Sequence, residues 1–167
     1  SSYQTVLLDI RDHAAYITFN RPEKRNCMSP TLHAEMVRVL DEIDRARVKV
    51  IVITGAGDAF CAGMDLEGCF LEPFDKPDLM AEINGNAFGW FTRIKNHSAV
   101  TIGKVNGWCF GGGMALAGVL DIVLVAEEST WGLSEVNFGI FPGGGTTWAY
   151  ANNMPSRKKA LYYALTG

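Results

Sequence analysis

Between Lys104 and Tyr150 the chain reads KVNGWCFGGGMALAGVLDIVLVAEESTWGLSEVNFGIFPGGGTTWAY. Three consecutive glycines, Gly111 to Gly113, separate an apolar run with strand character (Ala99 to Val105) from one with helical character (Met114 to Leu120). A second cluster, Gly143 to Gly145, follows Pro142, and from Gly132 to Gly145 the only charged residue is Glu135. Glycine lets a backbone approach a ligand closely and adopt φ > 0. A helix that starts just after it points unpaired N–H groups, and the positive end of its dipole, at whatever binds there. The stretch therefore predicts a place for a developing negative charge, with a lone acid–base group about twenty positions further along.

Outward from this stretch, apolar strands alternate with helical patterns. Thr5 to Ile10 and Ala15 to Phe19 read as two short strands of an edge hairpin around Arg11-Asp12-His13. A polar loop, Asn20 to Asn26, carries three cations, Arg21, Lys24 and Arg25. It suits a solvated turn or a phosphate contact. Ser29-Pro30 offers an N-cap and a first-turn proline, and Leu32, Met36, Val39, Leu40 and Ile43 recur at helical spacing to about Ala46. Val48 to Thr54, VKVIVIT, is β-branched apart from Lys49 and predicts a strand buried on both faces. After the Gly55-Ala56-Gly57-Asp58 loop comes a second glycine-loosened segment, Phe60 to Leu66, and then an irregular stretch from Phe70 to Asp78. Leu79 to Ile94 predicts an amphipathic helix, Asp121 to Ala126 another buried strand, and Ser156 to Leu165 a last helix. This order is that of an α/β fold built from βαβ-type units.

Composition sets limits. The chain has 167 residues, 48% of them hydrophobic and 20% charged, as expected of one globular domain and not of a disordered chain. A net charge of −3 without a long basic run argues against a nucleic-acid-binding surface. No apolar run reaches the roughly 18 residues of a membrane span. The opening SSYQTVLLDIRDH lacks the basic-then-apolar order of a signal peptide, so a cytoplasmic protein is expected. Cys27, Cys61, Cys69 and Cys109 form no CxxC pair, and His13, His33 and His97 are scattered, which predicts reduced, mostly buried thiols and no metal site.

Three segments in this order resemble the crotonase (enoyl-CoA hydratase/isomerase) superfamily. AGMDL (Ala62 to Leu66) looks like its first oxyanion segment, VNGWCFGGG (Val105 to Gly113) like its second, and LSEVNFGIFPGGG (Leu133 to Gly145) like its catalytic-carboxylate segment. Together with NRPEKRN, MSPTL, TGAGDAF and LYYALTG, the wording is most similar to hydroxycinnamoyl-CoA (feruloyl-CoA) hydratase-lyases. The resemblance implies a crotonase (ClpP-like) fold of repeated ββα units. Residues 1–167 would be one core domain without the C-terminal helices that pack a homotrimer or a dimer of trimers.

The same resemblance implies the site. The backbone N–H groups of Met64 and Gly112 would hold the thioester oxygen, and Glu135 would be the general acid–base. Lys24 and Arg25 would lie near the CoA phosphates and Ala62 near the adenine. Cys69, Phe70, Trp108, Phe138 and Phe141 would form the acyl pocket. Coenzyme A would arrive as part of an acyl-CoA substrate, with no permanently bound cofactor. Two positions depart from the pattern. Ala115 stands where hydratases carry a second glutamate and hydratase-lyases a hydroxyl residue, and Cys69 where hydratase-lyases carry a tyrosine. Three activities stay open: a hydratase-lyase yielding an aromatic aldehyde and acetyl-CoA, a hydratase or isomerase using one glutamate, and a non-catalytic CoA-binding member of the fold.

Overall fold

A computed structural model describes residues 2–167. It is built of four successive turns of strand, strand and helix. The first is β1 (Val6–Arg11), β2 (Ala14–Phe19) and α1 (Pro30–Ala46), and the second is β3 (Val50–Gly55), β4 (Ala59–Cys61) and α2 (Pro77–Lys95). The third is β5 (Val100–Val105), β6 (Trp108–Phe110) and α3 (Gly112–Ala117), and the fourth β7 (Ile122–Val125), β8 (Trp131–Gly132) and α4 (Thr146–Asn153). A final helix, α5 (Arg157–Thr166), follows. The large sheet has the order β1-β2-β3-β5-β7, and a small parallel sheet has the order β4-β6-β8. From the second turn onward, each turn gives its first strand to the large sheet and its second to the small one. This is the repeated ββα spiral that the motif order implies.

Local sequence accounts for the elements. β1 and β2 pair antiparallel through a tight turn in which Asp12 and His13 both take positive φ, as hairpins with the favoured twist require. Ser29 caps α1 by accepting from the Leu32 N–H at 3.2 Å, and Pro30 occupies its first turn. Leu32, Met36, Val39, Leu40 and Ile43 put an apolar stripe into the core. Ser156 caps α5 in the same way through the Lys159 N–H.

Several expectations needed correction. β3 is not buried on both faces: Ile51 and Ile53 are buried while Val50 and Val52 are half-exposed, because the packed core covers only one face of the large sheet. β7 is the edge of that sheet, so Ile122, Leu124 and Val125 are largely exposed although their residue types suggested a buried strand. The third helix starts at Gly112 and ends at Ala117, and α2 starts at Pro77. α4 was not anticipated; Gly145 precedes it with φ 87°, and its Thr, Trp and Tyr residues carry little helical signal. The strands of the small sheet are only two or three residues long, below the length at which alternation is readable.

Where the chain passes from the large sheet to the small one, backbones touch. A Cβ on Gly55 would overlap the Ala59 carbonyl and one on Gly107 the Asp58 carbonyl; where α3 meets β4, one on Gly113 would overlap the Cys61 carbonyl. The buried Asn26 side chain donates to the Ala56 and Ala59 carbonyls at 2.8 and 2.7 Å and accepts from the Arg21 N–H at 2.9 Å. Asn106 braces the other side, donating to the carbonyls of Gly55 and Gly57 at 2.9 Å each. Among the described residues no helix is long and apolar enough to cross a membrane, and no three His, Cys, Asp or Glu side chains are grouped to hold a metal ion. All four thiols are free, and burial pushes Cys61 and Cys69 up to about 12, so neither is a nucleophile near neutral pH.

One buried histidine makes the fold sensitive to acid. His33 on α1 accepts at Nδ1 from the Trp90 indole N–H at 3.0 Å, and its buried Nε2 has no partner among the described residues. Burial lowers its pKa to about 4. An unfolded histidine titrates near about 6.5, so the unfolded chain takes up the proton first. Stability from this residue is complete above that pH and is lost as the pH falls toward about 4. His33 should therefore contribute a loss on the order of 1 kcal/mol per pH unit to the urea-unfolding stability across this window. His33→Gln, which can still accept from Trp90, should flatten that slope. An unchanged slope would show that His33 is not responsible.

Candidate active site

The two glycine-loosened segments meet. Gly63, at φ 104°, lies so close to α3 that a Cβ on it would stand 3.5 Å from the Gly112 N, and a Cβ on Gly112 would stand 3.7 Å from the Met64 N. The backbone bonds around them use the Gly111 N–H (to Gly132 O, 3.0 Å) and the Asp65 N–H (to Met28 O, 3.0 Å). Among the described residues, the N–H groups of Met64 and Gly112 have no acceptor. Gly112 opens α3, where the first N–H groups have no partner within the helix. The result is a pair of neighbouring donors with nothing yet to donate to, the arrangement that stabilises an oxyanion.

Glu135 faces the same place. It lies in a 3-10 turn, Ser134–Phe138, directly after β8. A Cβ on Gly111 would come within 3.0 Å of Glu135 Oε1, so the glycine there makes room for the carboxylate. Glu135 Oε2 is buried with no hydrogen-bond partner among the described residues. Burial raises the Glu135 pKa above the ordinary glutamate value, a direction that suits a proton-transfer group. Behind it the buried Tyr150 hydroxyl donates to Met114 Sδ. Two positions beyond the triplet, Ala115 contributes only a buried methyl group, so no second acid enters from α3.

Lys24 and Arg25 are exposed and lie beside the first oxyanion segment, since the Arg25 carbonyl accepts from the Ala62 N–H at 3.0 Å. The Arg25 guanidinium stacks over the Trp108 ring at 4.0 Å, and Trp108 is 36% exposed. Lys24, Arg25, Ala62 and Trp108 therefore form one cationic and aromatic edge of the site. Cys69 and the half-exposed Phe70 lie on one π-helical turn, Glu67–Leu71. The Cys69 thiol is turned inward and donates to the Met28 carbonyl at 3.4 Å, so it offers no donor to a ligand. Phe138 and Phe141 are 61% and 78% exposed and do not enclose a pocket within this chain. A cleft of about 630 Å³ between α3, α4, α5 and β7 is a different place; Met114, Val123, Trp131 and Tyr150 line it and Glu135 does not.

Sequence reading missed the partially buried ion pair of Arg21 with Asp65, at 3.0 Å. Its members stand 44 positions apart, so no local pattern announces it. Gly111 gives a direct test of the geometry. Its φ of 47° and ψ of −116° favour glycine, and an added Cβ would press on the carboxylate. Gly111→Ala should cost about 1–3 kcal/mol in denaturant unfolding. It should also move the Glu135 side-chain carbon signals in NMR, and unmoved signals would place Glu135 away from the triplet.

Three comparisons bear on this site. The family model described as enoyl-CoA hydratase/isomerase matches residues 9–167. A hydroxycinnamoyl-CoA hydratase-lyase of Pseudomonas fluorescens is 43% identical over 168 residues, covering 99% of this chain and 60% of that protein. A mevalonyl-coenzyme A hydratase of Aspergillus fumigatus is 36% identical, covering 93% of this chain and 56% of that protein. Among solved structures, an enoyl-CoA hydratase/isomerase from Mycobacterium paratuberculosis superposes with a TM-score of 0.89 at 27% identity, over 100% of this chain and 67% of that one. The chain thus spans 60% of the first of these curated relatives and 56% of the second.

Proposed function

This chain belongs to the enoyl-CoA hydratase/isomerase family, the crotonase superfamily, and on that premise we propose that it acts on an enoyl-CoA thioester, adding water across the double bond. One observation carries the reading: the Glu135 carboxylate lies against Gly111, beside the unpaired N–H groups of Met64 and Gly112. In the proposed reaction the thioester oxygen accepts from both N–H groups. Glu135 removes a proton from water as its oxygen bonds to the β-carbon, and the electron pair moves onto the thioester oxygen. The enolate then takes the proton back from Glu135 at the α-carbon. Preorganised donors of this kind are worth about 3–4 kcal/mol each at the developing charge.

The finer proposal is hydratase-lyase activity, supported by the 43% identity to the Pseudomonas protein. After hydration, Glu135, ionised again, takes the β-hydroxyl proton as the bond between the α- and β-carbons breaks, and it later returns that proton to the enolate carbon. An aromatic aldehyde leaves, and the acetyl-CoA enolate remains on the two N–H groups until it is protonated. Lys24 and Arg25 would meet the CoA phosphates, and Trp108 beside Phe110 (5.0 Å between rings) would supply the aromatic edge. Coenzyme A enters only as part of the substrate. A homotrimer or dimer of trimers in the cytoplasm belongs to the same proposal. A second reading, an isomerase in which Glu135 alone moves a proton between carbons, is favoured by the methyl group of Ala115 where a second acid would stand.

Feruloyl-CoA and crotonyl-CoA, incubated in parallel with the protein and analysed by mass, separate these readings. Aldehyde with acetyl-CoA from the first supports the lyase. Hydration or isomerisation without aldehyde removes the aromatic assignment, and binding without turnover indicates a non-catalytic member of the fold. Glu135→Gln should keep thioester binding and lower turnover by about 10²–10⁴. Because the base must be ionised and burial raises its pKa, kcat/KM should fall on the acid side at a pH above that of an ordinary glutamate. Unchanged turnover in the glutamine variant would remove Glu135 from the mechanism.

A further inference from the structure

We propose that Arg21 and Asp65 are a positioning pair that aims the Met64 N–H and joins it to the cationic loop carrying Lys24 and Arg25. The inference rests on the reading of Met64 and Gly112 as oxyanion donors. By sequence Arg21 is one of three cations in a polar loop, and the structure uses it internally. Its Nη1 reaches Asp65 Oδ2 at 3.0 Å, the Cys27 carbonyl at 2.9 Å and Cys27 Sγ at 3.4 Å. Both side chains of the pair are only 17% exposed, so the charges face each other and not the solvent.

The peptide plane explains what the pair controls. Met28 donates its N–H to the Gly63 carbonyl at 2.8 Å and accepts the Asp65 N–H at 3.0 Å. Because a trans peptide is planar, with C=O and N–H on opposite sides, turning the Gly63 carbonyl toward Met28 turns the Met64 N–H away from it. Rotation of that one unit would misaim the donor, and Gly63, at φ 104°, offers little resistance of its own. Resistance comes from a closed ring of contacts: Arg21 to Asp65, Asp65 through Met64 to Gly63, Gly63 to Met28, and Cys27 back to Arg21. Asp65 also accepts from the Gly68 N–H through Oδ1 at 3.4 Å and from the Cys69 N–H through its carbonyl at 2.9 Å. The turn that bears Cys69 and Phe70 is therefore fixed to the same ring.

The test uses a ligand whose charge develops at the thioester. Acetoacetyl-CoA held by two such donors ionises to its enolate, which absorbs in the ultraviolet, whereas butyryl-CoA develops no such charge. Asp65→Asn, Arg21→Lys and the double variant are each titrated with acetoacetyl-CoA across pH, and butyryl-CoA affinity is measured by calorimetry. Each single variant should lose about tenfold in the ionisation equilibrium, less than the 10²–10³ that follows complete loss of such a donor. Butyryl-CoA affinity should be kept, and the double variant should be no worse than the poorer single one. Arg21→Lys keeps the charge and carries the test should Asp65→Asn melt early. Unchanged ionisation in both variants, or a matching loss of butyryl-CoA affinity, overturns the inference. A wild-type protein that binds acetoacetyl-CoA without forming enolate instead overturns the oxyanion reading beneath it.

Discussion

The fold depends on contact between backbones at the corner where each turn of the spiral leaves the large sheet. Gly55 and Gly107 bring main chain against main chain there, and Gly113 does the same where α3 meets β4, closer than any Cβ permits. Such contact would strand carbonyls from water, and a buried carbonyl without a donor is costly. Asn26 and Asn106 supply the missing donors, four hydrogen bonds to Ala56, Ala59, Gly55 and Gly57. Only with that corner closed can β4 and β6 pair, and only then do the segments after them, Ala62 to Asp65 and Gly111 to Gly113, arrive side by side. The site is thus a by-product of how the two sheets are joined.

That dependence explains which features were legible in sequence. Glycines at Gly63 and Gly111 to Gly113, and a single carboxylate at Glu135, are compositional signals, and the structure brings all of them together. Ser29 and Ser156 announced their helices through cap chemistry that involves only three or four neighbours. Exposure was not legible. The sequence of β7 is the same whether a neighbour covers it or not, and here its edge position leaves Leu124 57% exposed. The small sheet escaped notice because periodicity needs length. Arg21 with Asp65 escaped because pairing across the chain leaves no trace in either neighbourhood.

The electrostatic layout separates attraction from chemistry. The exposed Lys24 and Arg25 lie at the rim of the site, with Arg25 held against the Trp108 ring. The proposed reacting region, by contrast, contains backbone donors and one half-buried carboxylate. Backbone donors cannot be lost to a change of rotamer or protonation, so their precision is set by the fold alone. Three of the four thiols are buried, and burial holds Cys61 and Cys69 up to about 12, leaving them as small apolar spacers around the oxyanion segment.

The buried oxygen of Glu135 has a cost that belongs to the whole chain. A protein selected only to persist would cover that oxygen with a donor or replace the residue with leucine or methionine. It would also give the amides of Met64 and Gly112 acceptors of their own. Leaving the buried carboxylate oxygen unanswered keeps the folded state less stable than its core would allow. A thioester that supplies the acceptor, and a proton that quiets the carboxylate, would recover part of that deficit on binding. On the proposed reading, readiness to react and resistance to unfolding draw on the same few atoms, and a variant engineered for durability at this spot would gain it by becoming inert.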